Sequence, residues 1–316
     1  PEQEIGIIRP DFYGANTHGA WLGDGTMIDA NGDGTVETAS DLTWHRKAWL
    51  DSGMKIMRWD ANLGAYYANG TNGSFIFDGN LTNRINQLKW AHDNEIKVLL
   101  IINYMVPWLA DTSIQGCNSN QREYCPPYDY KVWSEIVIDY LNRLTENGTY
   151  TNDIDAEVWN EPYNIFLLPY LSYDDWNKSY YYNLIYNVTY TSVKSKYPQL
   201  LIGGPAGFYS APNILNSFLG NFSDNMDFIS VHPYMDKYES ISDGMYNKTI
   251  SLFNLCSLYN ANCSRVINSE WNIGNYIIKN TSSNISRYST NMALSYSEIL
   301  NNWPTNVSMV LYQWSE

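Results

Sequence analysis

The sequence is short of charge, and the charge that it has is unbalanced. Only 16% of the 316 residues are Asp, Glu, Lys or Arg, against about 25% in an average soluble protein, and the formal net charge is −14. A surface this acidic repels a phosphate backbone. The composition therefore argues against nucleic acid as a partner.

Long apolar runs are also missing. The most apolar stretch, residues 96–102, is far shorter than the about 20 residues that a helix needs to cross a bilayer. We therefore predict no membrane span in this chain. No signal peptide is recognisable at its start, so we expect a mature or trimmed product.

Cysteine and histidine are scarce, with four of each. The cysteines form two close pairs, Cys117 with Cys125 and Cys256 with Cys263, and neither pair has the spacing of a zinc site. The histidines are scattered along the chain. We therefore predict two local disulfides, and with them an oxidising, secreted or cell-surface location.

Asparagine, by contrast, is abundant. The 37 Asn and 45 Ser plus Thr residues would by chance give about five N-x-S/T acceptors for N-linked glycans, and the sequence has twelve. The excess favours a secreted glycoprotein, and an Asn-rich composition alone is the alternative. The predicted acceptors are Asn69, Asn72, Asn80, Asn147, Asn177, Asn187, Asn221, Asn247, Asn262, Asn280, Asn284 and Asn306.

Short β-rich runs alternate with longer amphipathic stretches over the whole chain, which is typical of parallel strands joined by helical crossovers. Eight such runs favour a closed (β/α)8 TIM barrel over an open sheet, and one catalytic domain over residues 1–316. The predicted strands are residues 12–16, 56–60, 98–104, 156–160, 200–204, 228–232, 265–270 and 309–314.

The chain ends just after the eighth predicted strand. We therefore expect the eighth outer helix and any C-terminal domain to be absent from it. A downstream segment, a second chain or another element of this chain would then have to complete the barrel.

For two of the helices, the sequence predicts which side chains face the core. Asp129 is placed to cap a helix whose apolar stripe comprises Val132, Ile136, Val137, Tyr140, Leu141 and Leu144. A second helix, over residues 174–196, is predicted to bury Trp176, Tyr180, Leu184, Ile185 and Val188.

Two glutamates stand where predicted strands open at the barrel mouth: Glu161 follows the fourth strand after Asn160, and Glu270 ends the seventh. Hydrolysis of a glycosidic bond needs one carboxylic acid to protonate the leaving oxygen and one carboxylate to meet the oxocarbenium-like carbon. Strands four and seven lie across the mouth, a span that two Glu side chains can narrow to the about 5–5.5 Å of a retaining pair. The two residues therefore predict a glycosidase.

With these residues in place, the sequence resembles clan A of the glycoside hydrolases. The resemblance implies a retaining enzyme that cleaves β-linked glycans of plant or microbial origin by double displacement, with Glu161 as acid/base, Glu270 as nucleophile and no cofactor for catalysis. It also implies that Asn160 bonds the sugar 2-hydroxyl, and that Arg58 and Tyr234 keep Glu270 ionised, while Glu161 holds a proton near the working pH. Further substrate-binding or supporting residues would be His18, Asn103, His232 and Trp314.

Three segments, residues 14–18, 197–206 and 227–232, look closest to family 39 of that clan, the β-xylosidase and α-L-iduronidase family, with family 5 as the neighbouring possibility. An oligo- or polysaccharide is the expected partner. Aromatic residues that would stack on several sugars are Tyr66, Tyr67, Tyr104, Trp108, Tyr163 and Trp271. The alternative is a catalytically inactive carbohydrate-binding or structural surface glycoprotein on the same barrel, although a binder has no need of a carboxylate pair.

An insertion near residues 24–41 resembles the calcium loops of EF-hands and dockerin modules. Oxygen-bearing side chains alternate with flexible residues, and Gly34 takes the sharp turn at the sixth position. The twelfth position is Ser40, so Glu37 or Asp41 would have to supply the closing carboxylate, and a metal-free turn is the alternative. The predicted ligands of a structural Ca²⁺ are Asp29, Asn31, Asp33, Thr35, Glu37 and Asp41.

Overall fold

A computed structural model describes residues 13–16, 41–71, 73–117, 121–164, 166–207, 211–233, 241–271 and 307–311. Its strands are β1 (Tyr13–Asn16), β2 (Ile56–Asp60), β3 (Tyr67–Asn69), β4 (Phe75–Phe77), β5 (Lys97–Ile102), β6 (Ile154–Val158), β7 (Leu201–Gly207), β8 (Phe228–Val231), β9 (Val266–Trp271) and β10 (Val307–Leu311).

Eight of these strands close into a parallel barrel, in the order β1, β2, β5, β6, β7, β8, β9 and β10, which confirms the predicted fold class. Pairing of Tyr13 with Met309 closes the sheet within one chain, so no strand from a second chain is needed. β3 and β4 form an antiparallel hairpin outside the barrel, which the sequence analysis did not predict.

Six helices lie in the described part of the chain, one in each crossover from β1 to β9. They are α1 (Asp41–Ser52), α2 (Thr82–Asp93), α3 (Tyr130–Leu144), α4 (Trp176–Lys196), α5 (Pro212–Phe222) and α6 (Ile241–Leu258). Searching those residues for a helix long and apolar enough to span a bilayer finds none.

The prediction for α3 is confirmed and that for α4 is partly wrong. The Asp129 side chain accepts hydrogen bonds from the first backbone amides of α3, and the whole predicted stripe of that helix is buried. On α4, however, Trp176 and Tyr180 are 65% and 59% exposed. The buried face of α4 instead includes Lys178 and Tyr182, whose long side chains end in polar groups that bond to the backbone near the mouth.

Inside the barrel, an apolar layer lies below a polar one. Side chains alternate between the two faces of a strand, and four inward-facing residues form a cluster of their own, separate from the core between sheet and helices. These are Ile56, Leu99, Phe228 and Ile267. Gly203 makes room for this layer, because a Cβ there would come within 2.3 Å of the Phe228 ring.

The next inward positions towards the mouth carry polar side chains. Two residues after Ile56, Phe228 and Ile267 come Arg58, Ser230 and Ser269, and all three are buried. Glu157 joins them from β6. The inner face of the barrel thus changes from apolar to polar as it approaches the mouth.

Several strand ends differ from the prediction. β5, β6 and β8 stop at Ile102, Val158 and Val231, one or two residues before their predicted ends, while β7 runs three residues further, to Gly207. The polar residues of the mouth therefore lie mostly on bends just beyond the strands, where hydrogen bonds from neighbouring strands hold the backbone.

Both predicted disulfides are confirmed. Cys117 pairs with Cys125 and Cys256 with Cys263, with Cα–Cα distances of 5.9 and 6.0 Å. The first closes a segment beyond β5, and the second joins the end of α6 to the approach to β9.

Candidate active site

Glu161 lies on a bend that two neighbouring strands hold in place. Trp159 and Glu161 both have positive φ angles, of 67° and 46°, in the left-handed region that few residues with side chains adopt. The Trp159 amide donates to the Ile102 carbonyl at 3.0 Å, and the Glu161 amide donates to the Ala206 carbonyl at 3.2 Å. The bend turns away from the strand direction and delivers Glu161 to the barrel mouth.

Glu270 enters the mouth from β9 and is bound by Arg58 of β2. Nη1 of Arg58 donates to Oε1 of Glu270 at 2.5 Å, and both side chains are almost entirely buried. Arg58 thus places a cation directly on this carboxylate.

His232 connects the two glutamates. Its Nδ1 lies 2.9 Å from Oε1 of Glu161 and 3.6 Å from Oε2 of Glu270, while its Nε2 lies 3.5 Å from the Arg58 guanidinium. Because a guanidinium only donates, we assign the proton of a neutral His232 to Nδ1, where it donates to Glu161.

The two carboxyl groups are close together. One carboxylate oxygen of Glu161, one of Glu270 and a ring nitrogen of His232 all lie within 4.8 Å of one another. An inverting glycosidase keeps its carboxyl groups about 6.5–9.5 Å apart to admit a water, and a retaining one about 5–5.5 Å apart. The geometry is that of a retaining pair.

Three atoms of this cluster could in principle hold a metal ion. Arg58 already places a buried positive charge on Glu270, however, which makes a second cation at the same carboxylate unfavourable.

The two predicted asparagines lie beside the pair in different ways. Asn160 Oδ1 accepts from Arg58 Nη2 at 2.9 Å, so this amide is oriented by the residue that also binds Glu270. Asn103 is fully buried and donates from Nδ2 to Oδ1 of Asp60, at the end of β2. This hydrogen bond joins Asn103 to Asp60.

Three residues around the site, Glu157, Asn164 and Lys178, were missed by the sequence analysis, and a fourth, Tyr163, was expected only to stack on sugars. Glu157 pairs with Arg58, Asn164 donates from Nδ2 to Oε2 of Glu161 at 3.0 Å, and the Tyr163 side chain lies beside this carboxylate. Lys178 Nζ donates to the backbone carbonyls of Tyr163 and Asn164 at 3.1 and 2.7 Å. Only Glu157 had a visible signal, as an acid at an inward-facing position of a strand whose outward residues are apolar.

The pKa of the Glu161 carboxyl differs from what was expected of an acid catalyst. Burial raises it, but His232 lowers it through its hydrogen bond and, in the protonated form of the ring, through its charge; the nearby Asn164 amide and Tyr163 hydroxyl add to the lowering, so the net direction is down. The ionised form of Glu161 is favoured because donors converge on both of its oxygens.

Arg58 and Glu157 remain charged. Burial lowers the pKa of the Arg58 guanidinium, but the nearby carboxylates of Glu157, Glu270 and Asp60 raise it beyond its ordinary value. Burial raises the pKa of the Glu157 carboxyl, and the charges of Arg58 and His232 with the nearby serine hydroxyls lower it to a net value below the usual one.

Several predictions fall outside the described residues. These are His18, Tyr234, Trp314, the calcium ligands Asp29, Asn31, Asp33, Thr35 and Glu37, and the acceptors Asn72, Asn280, Asn284 and Asn306. Asp41 opens α1 and Asn247 lies in α6, but their side chains, like that of Trp271, are not described. Of the aromatics expected to stack on sugars, Tyr66, Tyr67 and Tyr163 are buried among other side chains and so present no open ring face.

A barrel with a close carboxylate pair after its fourth and seventh strands is the arrangement of a retaining glycosidase, and comparison with known proteins agrees. The model of Glycosyl hydrolases family 39 matches residues 40–277, which include both glutamates. The chain belongs to this family. Clan A, to which the family belongs, comprises retaining enzymes that need no cofactor for hydrolysis.

One relative resembles the chain in sequence, and two solved structures share its fold. A β-xylosidase from Geobacillus stearothermophilus is 31% identical over 118 residues, which are 35% of this chain and 22% of that enzyme. A family 39 enzyme from Xanthomonas axonopodis pv. citri superposes with a TM-score of 0.66 at 16% identity, over 97% of this chain and 60% of the other. A monomeric β-xylosidase from Caulobacter crescentus CB15 gives 0.66 at 15% identity, over 96% and 60%. The chain thus spans less than two thirds of these relatives.

Proposed function

We propose that this chain is a retaining glycoside hydrolase that cleaves β-linked glycans by double displacement. The observation that carries the proposal is the approach of the Glu161 and Glu270 carboxylates to within 4.8 Å at the barrel mouth. That spacing is shorter than the about 6.5–9.5 Å between the carboxyl groups of an inverting enzyme, which have to admit a water between them.

In the first step, Glu270 attacks the anomeric carbon while protonated Glu161 gives its proton to the glycosidic oxygen, so that the aglycone leaves as an alcohol and a glycosyl ester forms on Glu270. In the second, ionised Glu161 takes a proton from water, the water oxygen attacks the anomeric carbon, and the ester bond to Glu270 breaks. Arg58 orients Glu270 in both steps, and Asn160 is aimed by Arg58 towards the sugar 2-hydroxyl.

The electrostatics of the site favour work at acidic pH. Glu161 has to be protonated when the aglycone leaves, and its pKa is lowered by His232, Asn164 and Tyr163 against the raising effect of burial. The fraction of enzyme with the required proton on Glu161 therefore grows as the pH falls.

A panel of aryl β-glycosides tests this function, beginning with the β-xyloside because the matched relatives include β-xylosidases. NMR of the first-formed sugar should show the β-anomer, and product profiles on xylan, mannan and β-glucan should identify the polymer and the position of cleavage. A first-formed α-anomer would replace the retaining mechanism by an inverting one. An inactive wild-type enzyme across the panel would favour the carbohydrate-binding alternative.

We also propose that the protein is a secreted glycoprotein with a structural calcium ion. Seven acceptor asparagines have described side chains, and all seven are exposed: Asn69, Asn80, Asn147, Asn177, Asn187, Asn221 and Asn262. The two disulfides favour an oxidising compartment. Calcium is supported by the alternation of oxygen-bearing residues in the segment 29–41.

A further inference from the structure

Glu157 is a buried carboxylate that the reaction described above does not use. It lies on β6, inside the barrel, and is fully buried. Its Oε2 accepts from Nε of Arg58 at 2.8 Å and from Nη2 at 2.5 Å. The same guanidinium donates from Nη1 to Glu270. Arg58 is therefore shared between two carboxylates, one at the mouth and one deeper in the barrel.

This sharing determines where the guanidinium points. A guanidinium is a rigid planar fork, so contacts on Nε and Nη2 determine the direction of Nη1. Glu157 makes both of those contacts, and Nη2 also reaches Asn160 at 2.9 Å. The edge bound by Glu157 thus aims the opposite nitrogen at Oε1 of Glu270.

It also determines how much positive charge Glu270 experiences. If Arg58 faced Glu270 alone, its charge would attract this carboxylate strongly. The carboxylate would then be a weaker nucleophile, because forming the bond to the sugar neutralises the negative charge that the cation attracts. A second carboxylate on the far edge of Arg58 offsets part of this attraction.

We propose that Glu157 is a positioning residue, which aims Arg58 at the nucleophile Glu270 and offsets the guanidinium charge so that Glu270 can attack the sugar. The proposal rests on the proposed hydrolase function.

The charged and titratable groups around the site set the sign of the expected effect. Among the described residues, those that face Arg58 or the two glutamates are Asp60 from β2, Tyr104 after β5, Glu157 and Tyr163 from β6 and its bend, and His232 after β8. Removing the charge of Glu157 leaves the cluster one unit more positive. A more positive cluster favours the ionised form of the carboxylates around it, so the pH profile of the enzyme should move to lower pH.

Glu157→Gln removes the charge while keeping the size, and Glu157→Asp keeps the charge while shortening the reach. For Glu157→Gln we expect kcat to fall by about tenfold to a hundredfold and both limbs of the kcat/KM pH profile to move to lower pH. For Glu157→Asp we expect a lower kcat with both limbs near their wild-type positions.

Asp155→Asn is the matched control. Asp155 is also buried on β6, two residues before Glu157, but its ion pair is with Arg265 Nη1, at 2.6 Å, and not with Arg58. We expect this variant to lower the thermal midpoint and to leave the pH limbs unmoved. A general loss of packing would lower activity in both the Glu157 and Asp155 variants without moving a limb.

A folded Glu157→Gln enzyme with unmoved limbs would overturn the proposal, and so would an equal shift in Asp155→Asn. If Glu157→Gln does not fold, Glu157→Asp provides the test. This variant keeps the charge, so a shifted limb of its kcat/KM pH profile would contradict the role proposed for that charge. A wild-type enzyme that is inactive on every glycoside would contradict the proposed function. An active wild type, with the pH limbs of Glu157→Gln at wild-type positions, would contradict only the role of Glu157.

Discussion

Glu161 occupies a backbone conformation that costs a residue with a side chain about 1 kcal/mol or more. Its neighbour Trp159 and the facing residue Ala206 also have positive φ angles. The hydrogen bonds to Ile102 and Ala206, and the bond from the Trp159 indole to the Phe166 carbonyl at 2.6 Å, hold this backbone in place. These hydrogen bonds do not involve the Glu161 carboxyl group, so we expect the bend to persist when that carboxyl is substituted and such variants to report on chemistry.

Removing the nucleophile should prevent formation of the glycosyl-enzyme. We therefore expect Glu270→Ala to be nearly inactive on every substrate. Azide should restore turnover of an activated glycoside, because it can occupy the vacated position and attack directly, and the product should then have inverted configuration by NMR. Rescue with retained configuration would place the nucleophile elsewhere.

Removing the acid/base should have a different effect. Glu161→Ala should keep the first step on a dinitrophenyl glycoside, whose leaving group needs little protonation, and lose the base that activates water in the second step. Stopped-flow traces should show a burst followed by slow turnover, which azide relieves with retained configuration. If the phenotypes of the two variants were exchanged, the two roles would have to be exchanged as well.

Asn164 offers a milder change at the same carboxyl group. Asn164 is partly exposed, and its side-chain amide donates a hydrogen bond to Oε2 of Glu161. This hydrogen bond lowers the pKa of Glu161, although its influence is smaller than those of burial, which raises the pKa, and of His232, which lowers it. Asn164→Ala should therefore raise this pKa and move the basic limb of the kcat/KM profile to higher pH. Asn183→Ala removes a side-chain hydrogen bond to Ser217 between α4 and α5, and it should leave the basic limb in place.

At the scale of the element, α4 supports the bend that carries Glu161. Its buried Tyr182 hydroxyl donates to the carbonyl of Val158, the last residue of β6, and Lys178 reaches the carbonyls of the next turn. Gly204 of β7 leaves room for the Tyr182 hydroxyl, to which a Cβ would come within 2.2 Å. One helix therefore binds the backbone on both sides of Glu161.

Lys178→Met tests this support by keeping the length of the side chain and removing its donors. Two carbonyls near the site would lose a buried partner, so we expect a loss of about 1–3 kcal/mol in unfolding free energy together with a lower kcat. Lys196→Met, an exposed change in the last turn of the same helix, should alter neither quantity. If the unfolding free energy fell by the expected amount while kcat stayed unchanged, Lys178 would support only the fold.

The proposed calcium loop is a second element with its own test. Calcium would bind only the folded protein, so a chelator should lower the thermal midpoint, and added calcium should restore it. Asp33→Ala should abolish the difference, because Asp33 is one of the predicted carboxylate ligands. An unchanged midpoint in wild-type protein with and without chelator would leave the segment as a metal-free turn.

At the scale of the whole molecule, the outer surface carries little charge and many glycan acceptors. The seven exposed acceptors are spread over the hairpin and the turn after it, helices α4 and α5, and the segments that follow α3 and α6. Protein secreted by a glycosylating host should lose mass on treatment with a peptide-N-glycosidase, and peptide mapping should place the change at these positions. A mass that already equals that of the bare chain would contradict the glycoprotein proposal.

Much of the fold could be predicted because strand and helix periods are local properties. The eight barrel strands, the Asp129 cap and the α3 stripe were all visible in residue spacing. The buried face of α4 was not visible in this way. Its buried positions include Lys178 and Tyr182, whose polar ends bond to backbone carbonyls distant in sequence. Patterns of hydrophobicity do not reveal a buried residue whose role is to donate a hydrogen bond.

The sequence by itself determined the barrel, the two disulfides and the positions of Glu161 and Glu270 at strand ends, because each follows from periodicity or from short spacing. Only the tertiary structure decided that Arg58 is shared by Glu157 and Glu270, and that His232, Asn164 and Tyr163 converge on Glu161. Those contacts join residues from different strands and bends. Their distances and charges depend on barrel closure, which brings together groups as far apart in sequence as Arg58 and Glu270.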